Sequence, residues 1–441
     1  MKSSDKIKIY DKIYNIVKKR IDRNLSKNKI EFNNFIEIIN KKYLSSRKFK
    51  YDINVENIKT TNTRPSIEKT IIKILDDKSI CKKMEKAEID VDELRMQIEN
   101  NNIEDYMNSF NDLYKIMVLY YFIDKYNDEN IERKKCYSSF VPIEIQHYSE
   151  KYHNFVYKVN IDKLDINITL LSSRNINNIS WFKKLIYRTI TLKLLFNFNE
   201  KINIRILDTQ INKKFNNVKD KINCKNCKII GPKEINSGFT TTGKNEIVIF
   251  RNEEILKVLI HEIIHLFKLD DKINFNKNLT DSIIDLLHIQ NGDWVRPSEG
   301  IVELLANIYN IAFNVLEKGG TFYEYLYIEA THSIIQSSRI LKYMNMEYNN
   351  NLIIVPNADK YQRTSAISYY VIRASLYWYL GDVIKQLNLL NSYTKNYKIN
   401  LNKYKKIISK SLQNKNLMGK NGVIQMIPFH IINNTLKMTI T

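Results

Sequence analysis

"EIVIFRNEEILKVLIHEIIHLFKLDD", residues 246–271, decides how the rest of the chain is read. It opens as a short β-branched run and continues with the apolar spacing of a helix. His261, Glu262 and His265 stand there among Ile255, Leu256, Val258, Leu259, Ile260, Ile263, Ile264, Leu266 and Phe267. A helix that is apolar nearly all round must be buried. Two imidazoles and a carboxylate buried without partners would cost roughly several kcal/mol. Residues four apart project about 40° from one another, one turn up, so His261 and His265 converge on one point. Glu262 sits beside that point. Two imidazoles suit Zn²⁺, and a neighbouring carboxylate can take a proton from a metal-activated water. This is the H-E-x-x-H spacing.

Catalytic zinc ordinarily has three protein ligands. "PSEGIVELLANIYN" (297–310) offers Glu299 and Glu303, four apart on an expected helix with apolar Ile301, Val302, Leu304 and Leu305 around them. One acid could bind the metal while the other accepts a hydrogen bond from a ligating imidazole. Two other candidates stay open. Asp271 lies six residues past His265, but reaching back requires a sharp turn at Lys268, where a glycine would be at ease. His288, in "DLLHIQNGDWV", is the second.

The chain has 441 residues, 44% of them hydrophobic and 27% charged, enough for two or three domains and a sizeable core. Residues 1–135 read as a mainly helical N-terminal region, carried by "DKIYNIVKKRIDRNL" and "MNSFNDLYKIMVLYYFIDKY". The polar run "YNDENIERKK" (126–135) marks a boundary. From about 140 to 270 the pattern predicts a small sheet with the metal helix. "HNFVYKVNIDKLDINITLL", "KINIRILDT" and "EIVIF" read as strands, "ISWFKKLIYRTITLKLLFNF" as a helix and "NSGFTTTGKN" as a turn-rich loop. "KLDDKINFNKNLTDS" reads as a polar loop. Residues 282–441 read as a helical subdomain, and "VIQMIPFHIINNTLKMTIT" as a tail that packs back as a strand.

The formal net charge is +21, which allows an anionic partner such as nucleic acid. The lysines are scattered without a basic arm, so biased composition explains the charge better. Cys81, Cys136, Cys224 and Cys227 are too few for a disulfide scaffold and fit a reducing compartment. The Cys224-x-x-Cys227 pair has no second pair to complete a zinc site, and an inert role is expected. The first twenty residues show no secretory h-region, and no uncharged apolar run is long enough to cross a membrane. A soluble intracellular protein is expected.

"HEIIH" followed by the "ExxxE" helix resembles the gluzincin zinc metallopeptidases, the thermolysin and neprilysin type. The resemblance implies Glu299 as the third zinc ligand and Glu303 as the acid supporting a ligating histidine, where the family mostly has Asp. It implies an α+β, zincin-like fold over residues 136–441, with an edge strand beside the metal helix that takes an extended polypeptide substrate. It implies Glu262 as general base and a donor to the oxyanion from a helix downstream. In "RTSAISYYVIRASLY" that donor is expected to be Tyr370, with Tyr369 and Arg373 as alternatives and His332 as a further one. "NSGFTTTGKNEIVIFRNEEILKVLIHEIIHLFKLD", "SEGIVELLA" and "SAISYYVIRASL" also resemble uncharacterised metallopeptidases encoded by large nucleocytoplasmic DNA viruses, which adds virion association as an expectation. The competing expectation is a non-enzymatic basic protein, structural or nucleic-acid-binding, on a metalloprotease-like fold.

Overall fold

The computed structural model describes residues 3–25, 29–57, 71, 74–76, 78–86, 89–99, 140–174, 180–214, 229–270, 276–394, 397–431 and 435–439. Helices α1 (Ser3–Leu25) and α2 (Lys29–Ser46) open the chain, followed by strand β1 (Asp52–Asn57). Helix α3 (Ile143–Tyr152) precedes β2 (Phe155–Ile161) and β3 (Ile166–Ser172). Helix α4 (Ser180–Phe196) leads into β4 (Ile202–Leu207), and β5 (Gly238–Thr241) and β6 (Glu246–Ile249) complete a six-stranded sheet. Its order is β1-β2-β3-β4-β6-β5. β3, β4 and β6 run parallel; β1, β2 and β5 are antiparallel to their neighbours. The architecture is α+β.

The two hairpins use one device. A 3₁₀ turn ends in a left-handed residue, Asp165 (φ 47°) between β2 and β3 and Asn245 (φ 49°) between β5 and β6. Short polar side chains tolerate that backbone best after glycine. "NSGFTTTGKN", expected to be a loop, therefore contains an edge strand. Its four residues lack apolar alternation, and β6 supplies the pairing that makes them a strand, with Thr240 opposite Ile247. "EIVIF" lies inside the sheet, between β4 and β5.

Helix α5 (Ile255–Leu266), which carries His261, Glu262 and His265, packs on β5, β6 and α4. Helix α6 (Lys277–Leu287) starts inside the stretch read as a polar loop, capped by Asn276 accepting from the Leu279 amide at 2.9 Å. Helix α7 (Pro297–Lys318) begins with proline at its first position, where the missing N–H costs nothing. Helix α8 (Phe322–Tyr343) opens on a Thr321/Glu324 capping box. Strands β7 (Glu347–Asn349) and β8 (Leu352–Ile354) form a separate hairpin turned by Asn350 and Asn351, both at positive φ. A π-helical segment, Ile367–Ile372, continues into α9 (Arg373–Trp378). The tail expected to return as a strand makes one isolated bridge, Lys214 to Thr435.

The first 135 residues were expected to be a mainly helical region. Their described part also supplies β1, paired with β2 over six residues. Arg20 Nε and Asn24 Nδ2 donate to Trp378 O at 3.1 and 3.2 Å, so α1 is tied to α9. The segment 107–126 and the boundary at 126–135 lie outside the described residues. Among the described residues, no helix is long and apolar enough to cross a membrane.

One contact positions α7 against the π-helical segment. A Cβ on Gly300 would come within 2.5 Å of Ile372 Cγ2 and 3.2 Å of Ser368 O. Ile372 is β-branched and fully buried, so it has no free rotamer to retreat into. Gly300→Ala is expected to lower the unfolding free energy by about 1–3 kcal/mol, in spite of alanine's better helix propensity. Denaturant titration measures it; equal or greater stability would mean that the two helices part freely.

Candidate metal centre

Helix α5 turns His261 and His265 to the same side, and α7 brings Glu299 opposite them from its first turn. His261 Nε2 lies 3.0 Å from His265 Nε2, and each is 3.4 Å from Glu299 Oε2. These three residues, drawn from the two candidate helices, form one group whose ligand atoms all fall within 4.8 Å.

What stands behind the imidazoles fixes their tautomers. Glu303 Oε1 faces His261 Nδ1 at 2.8 Å, and Asp270 Oδ2 faces His265 Nδ1 at 2.9 Å. At His265 the Asp270 carboxylate holds the proton on Nδ1 by a hydrogen bond. At His261 the Glu303 oxygen stands at ion-pair distance off the hydrogen-bond direction and favours the Nδ1 proton by charge, so both Nε2 lone pairs face Glu299. Glu303 Oε2 is gripped in turn by Lys257 Nζ and, at 3.2 Å, by Arg373 Nη1. The turn thought to demand glycine is made by Lys268 itself, at φ 56°. A side chain there costs about 1–2 kcal/mol. That turn delivers Asp270 to the outer nitrogen of His265; Asp271 lies outside the described residues.

The surroundings favour positive charge at the meeting point. Burial opposes an imidazolium at His261, but Glu303 and Glu299 raise its pKa above the ordinary value. Burial is overcome more strongly at His265, where Glu299 and Asp270 push the pKa well up. Burial also opposes ionisation of Glu299, yet His265 and His261 hold its carboxyl far below the usual range. Glu303 behaves alike, with Lys257 and His261 outweighing its burial.

The donor set fits a zinc ion. Glu299 Oε2 is buried and has no hydrogen-bond partner among the described residues. Three lone-pair atoms face one another with no proton between them when both imidazoles are neutral. Tetrahedral ligands about 2.0–2.1 Å from a common ion lie roughly 3.3 Å from each other, close to the separations here.

Glu262 is 6% exposed, and Thr240 Oγ1 on β5 lies 2.8 Å from its Oε2. Burial raises the Glu262 pKa, partly offset by His261 and His265. A Cβ on Gly238 would stand 3.2 Å from Glu262 Oε1, so glycine lets the edge strand run close to this acid. Thr240 and Asp270 were missed in the sequence. "KLDD" just after the helix was a usable sign for Asp270; nothing local marks Thr240.

Tyr370, expected as the oxyanion donor, does not reach the group. It is fully buried and its hydroxyl donates to Leu436 O at 2.5 Å. Tyr369 stands at the site instead, its ring centroid 6.2 Å from that of His261. Its pKa is held well above the ordinary value by burial, then by Glu299 and Glu262. The π-helical stretch changes the angular phase of this helix, which residue spacing alone does not disclose. Arg373 serves Glu303. His332 Nε2 binds Lys437 O at 3.0 Å, and His288 caps α6 on the surface. Cys81 Sγ rests 3.3 Å from Leu75 O; Cys136, Cys224 and Cys227 lie outside the described residues.

The sequence matches no protein-family profile, and no solved structure matches it. Over 181 residues it is 25% identical to uncharacterized protein R210 of Acanthamoeba polyphaga mimivirus. That stretch covers 37% of this chain and 42% of the mimivirus protein, so the similarity spans under half of either.

Proton and metal compete for the same imidazoles. In metal-free protein the raised His265 pKa gives stability that is present below about pH 6.5 and is lost as pH rises through the folded pKa. Zinc needs both imidazoles neutral, so its stabilisation runs the other way. The gap in Tm between zinc-loaded and metal-free protein is expected to widen from about pH 5.5 to about pH 8. Thermal unfolding with and without zinc checks it; a gap that stays flat would remove the imidazoles as ligands.

Proposed function

We propose that this chain is a zinc-dependent peptidase of the gluzincin type. The observation that carries the reading is the convergence of His261 Nε2, His265 Nε2 and Glu299 Oε2, with the Glu262 carboxylate on the same helix beside them. A structural zinc site has no use for that extra acid. The mixed sheet, with antiparallel edge strand β5 lying along α5, fits a zincin-like arrangement.

His261, His265 and Glu299 would hold the ion, with Glu303 and Asp270 orienting the imidazoles. Bound zinc would supply a Lewis acid for the scissile carbonyl and for the attacking water. Glu262 takes the proton of that water and returns it to the leaving nitrogen. Its burial-raised pKa suits both halves of the transfer. Thr240 holds Glu262 Oε2 and leaves Oε1 for the water. Tyr369, kept protonated, is the donor nearest the developing oxyanion. The outer edge of β5 would take an extended polypeptide by main-chain pairing, which favours cleavage within a chain over removal of its ends.

Glu262→Gln is expected to keep zinc and lower kcat/KM about 100- to 10,000-fold. Peptide hydrolysis at the parent rate would exclude Glu262 as the base. Tyr369→Phe is expected to lower kcat about 100-fold with little change in KM. Steady-state kinetics beside elemental zinc analysis reads both.

A further inference from the structure

Residues Thr435–Thr439 pass behind the metal centre. One backbone bond, from the Leu436 amide to Lys213 O at 3.1 Å, ties their start, and side chains hold the rest of their main chain. Tyr370 donates to Leu436 O at 2.5 Å, and His332 and Gln336 donate to Lys437 O at 3.0 and 2.8 Å. Arg373 Nη1 donates to Met438 O at 2.6 Å. The Met438 and Thr439 amides donate to Glu254 Oε1 at 2.6 and 2.7 Å. The segment alternates. Leu436 and Met438 are buried, while Thr435, Lys437 and Thr439 line a cavity of about 790 Å³ that Glu254 and Lys257 also line. It thus lies between that cavity and Arg373, while Lys257 reaches both the cavity and Glu303.

The same Arg373 Nη1 that grips Met438 O also grips Glu303 Oε2, and Glu303 Oε1 faces His261 Nδ1. Arg373 Nη2 has no hydrogen-bond partner among the described residues, and Nε reaches only Ser333 Oγ at 3.0 Å. Nη1 therefore sets the guanidinium's orientation, and one of its two hydrogens belongs to Met438. Lys257, the other grip on Glu303, lies 3.9 Å from Met438 Sδ.

We infer that Thr435–Thr439 is a positioning segment for the metal centre: Met438 orients Arg373, Arg373 orients the Glu303 carboxylate, and Glu303 orients His261 for the ion. The inference rests on the zinc reading of that site. A purely architectural segment would stabilise the fold and leave metal affinity alone. Here, loosening residue 438 should weaken zinc binding through Arg373.

The test uses the full chain, zinc affinity by chelator competition, and the absorption spectrum of the Co²⁺-substituted protein. Met438→Pro removes the amide donated to Glu254 and displaces the carbonyl. Arg373→Lys leaves one ammonium that cannot span Glu303 and Met438 together. Each should weaken zinc binding about 10- to 100-fold and alter the Co²⁺ spectrum. The double variant should lose no more than the worse single, because both act along one path. Ser338→Ala, which removes a buried hydroxyl bonded to Ile424 O outside the segment, should lower Tm without changing affinity. If Met438→Pro does not fold, Met438→Gly, which loosens the backbone that carries the carbonyl, takes its place, with a smaller loss expected. Parent affinity in a folded residue-438 variant, or losses that add in the double, would overturn the inference. A parent chain that binds no zinc would overturn the peptidase reading instead.

Discussion

Three lone pairs aimed at one buried point set the terms for this structure. Two imidazole nitrogens and a carboxylate oxygen lie 3.0–3.4 Å apart where water has little access. Left alone, they repel. Either protons or a cation must enter, and the surrounding acids favour positive charge of either kind. The apolar helix around His261 and His265 follows from this need, because it excludes the water that would dilute the field. Any ion held there would couple its binding to folding, since no such group exists in the unfolded chain.

The rest of the fold brings two backbones unusually close to that point. Gly238 lets β5 run against Glu262, and Gly300, next to Glu299, lets the π-helical segment reach α7. Each glycine faces an acid of the site or stands beside one, and each would meet atoms under about 3 Å away if it carried a Cβ. The centre is therefore a place where sheet edge, metal helix and downstream helices are drawn together. Tyr369 and Thr240 arrive by that approach.

The sequence disclosed what repeats along one helix and hid what depends on contact between elements. His261, Glu262 and His265 were legible because 3.6-residue periodicity fixes their mutual angles before any packing occurs. Glu299 and Glu303 were legible for the same reason, as a pair four apart. Tyr369 was not. Choosing it over Tyr370 requires the angular phase of a helix, and the π-helical stretch shifts that phase. Strand β5 was hidden because Gly238–Thr241 has no alternation of its own and becomes a strand only by pairing with β6. Lys268 shows the limit of an argument from turn preference. A cost of about 1–2 kcal/mol for a left-handed lysine does not prevent a turn that sets a carboxylate 2.9 Å from His265 Nδ1.

Charge was the most visible feature of the composition and the least informative about the site. A net charge of +21 says little about the site, because among the described lysines only Lys193, Lys213 and Lys257 are buried. The basic groups with consequence are few and buried: Lys213 against Glu254, and Lys257 and Arg373 against Glu303. Buried ion pairs of this kind are seldom more stable than well-packed apolar side chains of the same size. Their retention behind His261 calls for a reason other than stability. An apolar layer could fill the space, but it could not hold a carboxylate in one orientation beside His261 Nδ1. The layer gives direction to the groups around that imidazole, and direction is what an apolar core does not supply.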